Sequence, residues 1–169
     1  MKDLTEKFSR VKLLALDSDG VLTDGGVYVF ADGSEFRRFD IKDGMGLRRL
    51  IERGIQIVII SSSANQAIVH RAKKLGIQRI YTGVENKLKC LQKVCHDLGF
   101  DLESVCYMGD DLPDLPVMNA VGLSCAPADA VEVVLAAAAY ECLHKGGHGA
   151  VRELCDQLLE SQRGKFSSG

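Results

Sequence analysis

Apolar residues in this chain fall into short runs separated by stretches of helical period. Residues 11–16 (VKLLAL) form one such run and end at Asp17, the pattern of a short buried strand. Residues 55–60 repeat it and end at Ser61, and residues 105–108 repeat it again and end at Gly109-Asp110-Asp111. Ile80-Tyr81 and residues 122–125 are shorter versions. Between these runs the period lengthens. Leu47, Leu50 and Ile51 predict a helix over 46–53 with Gly54 as its stop. Ile68, Ala72 and Leu75 predict one over 65–75 capped by Gly76, and Leu88, Leu91, Val94 and Leu98 one over 87–98 closed by Gly99. Residues 112–120, 130–139 and 150–159 complete the predicted helices. One segment breaks the rhythm. Val27, Val29, Phe36 and Phe39 flank Ala31-Asp32-Gly33, and Asp-Gly between alternating apolar residues predicts a β-hairpin over about 25–40, projecting from the domain.

Strands alternating with helices of this length imply right-handed βαβ units, hence an α/β fold with a doubly wound, mainly parallel sheet and helices on both faces. The length fits a single domain over residues 1–169, with the tail at 162–169 expected to be flexible. In open sheets of this kind ligands bind beyond the carboxyl ends of the strands. Asp17 and Asp19 follow the first strand, Ser61 the second, Asp110 and Asp111 a later one, and Lys87 opens a helix on the same rim. Residues more than ninety positions apart are therefore predicted to converge.

Composition narrows the classes. A formal net charge of −2 supplies no basic field, so nucleic acid is not expected as a partner. The apolar runs are too short to span a bilayer, and the opening MKDLTEKFSRVK lacks an apolar signal core. The six cysteines, Cys90, Cys95, Cys106, Cys125, Cys142 and Cys155, form no Cys-x-x-Cys pair and no zinc-type spacing with the histidines. They read as small buried apolar side chains in a reducing, cytoplasmic setting.

The acidic rim then acquires a chemistry. Asp17 and Asp19 share one tight loop, with Asp110 and Asp111 opposite, and such carboxylates repel one another unless a cation is present. All-oxygen ligands suit a hard ion, and Mg²⁺ fits best where a phosphate shares its coordination. One carboxylate, Asp17, is then free to attack phosphorus. Lys87 and Ser61 are placed to meet the phosphoryl oxygens. Asp19 is placed to protonate the leaving alkoxide and afterwards to accept a proton from water. Asp111 and Asp114 stay open between binding metal, holding Lys87 and capping the helix after Leu112. His70 and His148 read as surface or packing residues.

Those residues resemble a known superfamily. DSDGVLTDG at 17–25, Ser61 at a strand end, Lys87 and GDDLPD at 109–114 are similar, in order and spacing, to the four motifs of the haloacid dehalogenase-like phosphatases. More narrowly, KDGMGLRRL at 42–50, HRAKKLGI at 70–77, GDDLPDLP at 109–116 and GGHGAVREL at 146–154 resemble the family of 3-deoxy-D-manno-octulosonate (KDO) 8-phosphate phosphatases. The resemblance implies a capless fold and a homotetramer in which hairpins meet at the centre. It implies a phosphorylated sugar-acid substrate in lipopolysaccharide precursor synthesis. It implies Asp17 as nucleophile and Mg²⁺ ligand, Asp19 as acid/base and ligand through its carbonyl, Asp110 as the third ligand, and Ser61 and Lys87 on the phosphoryl group. Asp19, Asp40, Lys42, Asp43, Gly44, Arg48, Ser63, Arg71 and Lys87 fall where the family meets substrate, and the glycine-rich turn at 146–149 would lie near it. Many relatives carry Gly-Arg where this chain has Ser62-Ser63, so a nonulosonate 9-phosphate or another phosphosugar stays open as substrate. Non-catalytic oligomerisation modules of this fold would show eroded acids, whereas Asp17, Asp19, Lys87 and Asp110 are all present.

Overall fold

Strand β1 (Leu13–Leu16) lies inside a six-stranded sheet with β4 (Gln56–Ile60) on one side and β6 (Val105–Met108) on the other. β5 (Arg79–Tyr81) extends the sheet beyond β4, and β7 (Leu123–Ala126) and β8 (Tyr140–Glu141) extend it beyond β6. The order is β5-β4-β1-β6-β7-β8, and every neighbouring pair is parallel. The computed structural model describes residues 2–163.

Alternation along the strands divides the core in two. Leu14, Leu16, Ile57, Ile59, Cys106 and Met108 face one layer, made by α1 (Lys2–Arg10), α2 (Ile41–Glu52), α3 (Gln66–Leu75) and α7 (Ala150–Ser161). Leu13, Ala15, Val58, Ile60, Val105 and Tyr107 face the other, made by α4 (Lys87–Leu98), α5 (Leu115–Met118) and α6 (Glu132–Ala137). The doubly wound sheet expected from the pattern is therefore present. The chain reverses its direction of winding between β1 and β6, which opens a crevice at their carboxyl ends. Register brings those ends level: Leu16 pairs with Ile59 and with Met108.

Several boundaries move, each for a local reason. Helix α2 starts at Ile41, five residues before the periodic signal, because Asp40 caps it and accepts from the Lys42 and Asp43 amides at 2.6 and 3.2 Å. Gly44 and Gly46 weaken the helical pattern in the sequence. Close packing favours them: a Cβ at Gly44 would meet the Arg71 guanidinium at 2.5 Å and displace it, and one at Gly46 would press on Cys155 at 3.0 Å. The segment at 112–120 divides into a 3-10 turn (Leu112–Asp114) and α5. Helix α1 and strand β8 had no sequence signal, since α1 is polar apart from Leu4 and Phe8 and β8 is two residues long.

The predicted flexible tail also needs correction at its first residue. Gln162 is buried, and its side-chain amide donates to the carbonyls of Phe8 and Val11 at 3.3 and 2.9 Å, tying the end of α7 to α1. Residues 164–169 of that tail lie outside the described residues. The cysteines are all unpaired; five are buried and Cys90 is half-buried. Among the described residues no helix is long and apolar enough to cross a membrane.

The hairpin is present as β2 (Tyr28–Val29) against β3 (Glu35–Phe36), turning where Gly33 adopts a φ of +82°. Tyr28 and Phe36 stack with ring centres 4.5 Å apart. Val27, Tyr28, Val29, Phe30 and Phe36 are all exposed. At its base a bridge between Thr23 and Phe39 fastens the hairpin to the loop after β1.

Candidate active site

The crevice holds a pocket of about 290 Å³ lined by Asp17, Asp19, Gly20, Gly25, Ser61, Ser62, Ser63, Lys87, Asp110, Asp111 and Pro113. Asp17 continues β1, and its amide donates to the Met108 carbonyl at 3.0 Å, which fixes it against the end of β6. Lys87, the first residue of α4, is buried and stands between two acids, 3.0 Å from Asp17 Oδ2 and 2.7 Å from Asp114 Oδ1. Burial works against its charge, but Asp17 and Asp114 outweigh burial and hold its pKa above the usual lysine value.

Asp114 settles an ambiguity the sequence left. It is fully buried and both of its oxygens are engaged. Oδ1 accepts from Lys87 and, at 2.5 Å, from the Tyr107 hydroxyl. Oδ2 accepts from the amides of Asp110 and Asp111 at 3.0 and 3.3 Å. Asp114 therefore aims Lys87 and shapes the loop after β6. Asp111 caps the following turn through the Leu112 amide at 2.7 Å.

Asp110 is different. Its Oδ1 is buried without a partner. Burial first, then the charges of Asp17 and Asp114, push its pKa up to about 8. Asp17 is raised to about 6, again by burial and then by Asp114, with Lys87 pulling the other way. Among the described residues, Asp17, Asp110 and Asp114 can bring oxygens within 4.8 Å of one another. With Asp114 committed elsewhere, Asp17 and Asp110 are the carboxylates able to hold a cation. An unpartnered oxygen and two acids strained by mutual repulsion fit a hard divalent ion.

The loop after β1 is shaped for this. Thr23 Oγ1 accepts from the amides of Gly20 and Gly25 at 3.2 and 3.3 Å. Gly20 has a φ of +82°, and a Cβ there would lie 1.9 Å from Asp110 Oδ2. Replacement by Ala should cost about 1–2 kcal/mol through the backbone alone, and more through the displaced Asp110. Thermal unfolding of Gly20→Ala checks this, and an unchanged melting temperature would contradict it. The glycine-rich turn at 146–149 backs the loop from behind. The Gly147 amide donates to the Val21 carbonyl at 3.0 Å, and a Cβ at Gly146 would meet the Gly20 carbonyl oxygen at 1.8 Å. His148 joins this packing through the Gly146 carbonyl at 2.9 Å, and His70 is exposed.

The expected phosphoryl residues thus meet in one pocket: Asp17, Asp19, Ser61, Lys87 and Asp110, with Ser63 beside them. Ser61 is buried, and its Oγ accepts from the Ser63 amide at 3.2 Å, so its hydroxyl proton stays available to donate. The remaining expected substrate residues are not brought to this pocket within one chain. Asp40 caps α2. Asp43 is buried, and its Oδ1 accepts from the Arg152 amide at 2.8 Å, joining α2 to α7. Burial chiefly, and Asp40 to a lesser degree, push its pKa up to about 6. Gly44 makes room for Arg71, which donates to the Asp40 carbonyl at 3.1 Å. Arg48 donates to the Lys74 carbonyl at 2.9 Å, and Lys42 is exposed. Two residues the sequence did not single out stand beside the site: Tyr107 on Asp114, and Arg37, whose Nε is 3.2 Å from Asp19 Oδ1.

Comparison with known proteins identifies the family. Residues 79–154 match the haloacid dehalogenase-like hydrolase family. The chain is 41% identical over 160 residues to the 3-deoxy-D-manno-octulosonate 8-phosphate phosphatase KdsC of Escherichia coli K12, covering 95% of this chain and 85% of that one. It is 42% identical over 156 residues to the protein of that name from Salmonella typhi, covering 92% and 83%. Among solved structures, the Yersinia pestis 3-deoxy-D-manno-octulosonate 8-phosphate phosphatase superposes with a TM-score of 0.93 at 41% identity, covering 95% of this chain and 87% of that one. The Moraxella catarrhalis phosphatase of the same name, in complex with magnesium ion, phosphate ion and KDO, superposes at 0.94 with 36% identity, covering 96% and 94%.

Proposed function

The chain belongs to the 3-deoxy-D-manno-octulosonate 8-phosphate phosphatase family of haloacid dehalogenase-like hydrolases, and on that premise we propose that it hydrolyses this sugar-acid phosphate to KDO and phosphate through a phosphorylated Asp17. The observation that carries the reading is the placement of Asp17. Its carboxylate meets a buried ammonium at 3.0 Å, in a pocket otherwise lined by the groups a phosphoryl transfer needs.

An Asp17 oxygen attacks phosphorus while the bond to the sugar oxygen breaks. Lys87 neutralises charge on the phosphoryl oxygens, and the Ser61 hydroxyl donates to one of them. Asp19 gives its proton to the departing alkoxide. It then takes a proton from the water that attacks the phosphorus, which frees phosphate and restores the Asp17 carboxylate. Asp17 and Asp110, with the Asp19 carbonyl, would hold Mg²⁺. The ion supplies positive charge that offsets the repulsion between these acids and a phosphate dianion.

The decisive experiment is phosphate release from KDO 8-phosphate, measured with Mg²⁺, after chelation, and after Mg²⁺ is restored. Turnover that stops with chelator and returns with the ion is expected. Indifference to the chelator would remove the cation from the account, and turnover confined to a nonulosonate 9-phosphate would reassign the substrate.

Asp19 and Ser63, which line the pocket, are assigned to the sugar side of the scissile bond. Lys42 is exposed beside the fully apolar Ile41, itself 80% exposed at the base of the hairpin, and is assigned to a neighbouring subunit's pocket together with Arg48 and Arg71. The exposed apolar side chains of the hairpin support a homotetramer centred on it. Gel filtration with light scattering should give four chains per particle, and a monomer at micromolar concentration would oppose this. We place the reaction in the cytoplasm, in the supply of lipopolysaccharide precursors.

A further inference from the structure

We infer that Arg37 is a positioning residue for the proton transfer at Asp19. The inference rests on the phosphatase reading above, but on a different part of the molecule: the returning strand of the hairpin.

Arg37 is a long, charged side chain on a projecting element, where such residues are ordinarily solvated. Its side chain is nevertheless only 6% exposed. Three acceptors hold it. Nε donates to Asp19 Oδ1 at 3.2 Å, and Nη1 donates to Glu35 Oε2 at 3.2 Å and to the Phe36 carbonyl at 3.4 Å. Glu35 and Arg37 lie two apart on an extended segment and so share a face. On that face Arg37 meets Asp19 and Glu35, whereas Phe36 between them stacks on Tyr28. The segment itself is fixed. The bridge from Phe39 to Thr23 and the 2.7 Å bond from Arg38 Nη1 to the Gly147 carbonyl tie it to the loop that carries Asp19 and to the turn behind that loop.

The consequence is geometric. Asp19 lines the pocket with its side chain 31% exposed, and a carboxylate free in solvent samples several rotamers. A guanidinium on Oδ1 selects one of them. With Oδ1 taken by Arg37, Oδ2 is the oxygen left for the leaving group in the pocket that Asp19 lines. A planar donor held by Glu35 on its other side imposes direction as well as charge, which a lysine ammonium does less well. Arg37 has no role in the attack of Asp17 on phosphorus, so its effect should be confined to the proton.

Leaving groups separate this from general support of the loop. The alkoxide of an alkyl phosphate such as KDO 8-phosphate needs a proton as it departs; 4-nitrophenolate does not. The test is kcat/KM of Arg37→Ala, Arg37→Lys and wild type on both substrates, with circular dichroism and particle mass to verify the fold. For Arg37→Ala we expect a loss of about tenfold or more on KDO 8-phosphate and less than about threefold on 4-nitrophenyl phosphate, as befits partial loss of a positioned general acid. Arg37→Lys should recover part of the difference. In an Asp19→Asn background Arg37→Ala should add no further loss on either substrate. Equal losses on both substrates would overturn the inference, because they would mark a structural role, and so would no loss on either. If wild type released phosphate from neither substrate, the phosphatase reading itself would fail, which is a distinct result.

Discussion

Asp17→Asn should stop phosphate release altogether, with a loss on the order of 10⁴-fold or more, the scale seen when a covalent nucleophile is removed. Asn keeps the shape of the side chain but has no anionic oxygen to bond to phosphorus. The fold should survive. Asp17 is held in the charged form against burial and against Asp114, and that conflict lifts its pKa to about 6. Removing its charge leaves Lys87 paired with Asp114 at 2.7 Å, still a neutralised buried couple. The melting temperature of Asp17→Asn should therefore equal or exceed that of wild type while turnover vanishes. Residual turnover above that of the buffer would remove Asp17 as the nucleophile. Lost activity accompanied by unfolding would say only that the site is fragile.

Lys87→Met should damage stability and turnover together. The ammonium is 3% exposed and separates two carboxylates that otherwise face each other across a buried space. Taking one partner from a buried ion pair costs about 3–5 kcal/mol, because the charge left behind has neither water nor a counter-ion. Turnover should fall on the order of 10²–10³-fold, since a preorganised cation on the phosphoryl oxygens is lost. A second substitution divides the two effects. Lys87→Met with Asp114→Asn relieves the uncompensated charge and should recover part of the stability, while activity stays low. Recovery of both would make Lys87 a structural residue only. Denaturant unfolding and phosphate release on the same preparations provide the comparison.

The pocket was legible because each of its acids and its lysine follows or opens an element the hydrophobic pattern marks. Asp17 ends an apolar run, Ser61 another and Asp110 a third; the parallel sheet then leaves one rim where they can meet. Asp114 was only half legible. Its spacing fitted metal binding, a lysine partner or a helix cap, and the structure gives it the last two through separate oxygens. Arg37 could not be read at all, because an arginine on a hairpin looks solvated until the bridge at Thr23 shows the strand lying along the loop. The start of α2 was hidden by Gly44 and Gly46, whose value lies in contacts with α3 and α7 that no local pattern records. Helix α1 presents too few apolar residues to betray itself, and Gln162, which anchors it to the end of α7, looks like part of a polar tail.

The central step is formation of a covalent bond between Asp17 and phosphorus. Borohydride reduces an aspartyl-phosphate to homoserine, so the protein can be quenched during turnover of KDO 8-phosphate with Mg²⁺, reduced, digested and analysed by mass spectrometry. Homoserine is expected at position 17, dependent on substrate and missing in Asp17→Asn. Homoserine at position 19 or 110 instead, or an unmodified position 17 in protein trapped at full turnover, would contradict it.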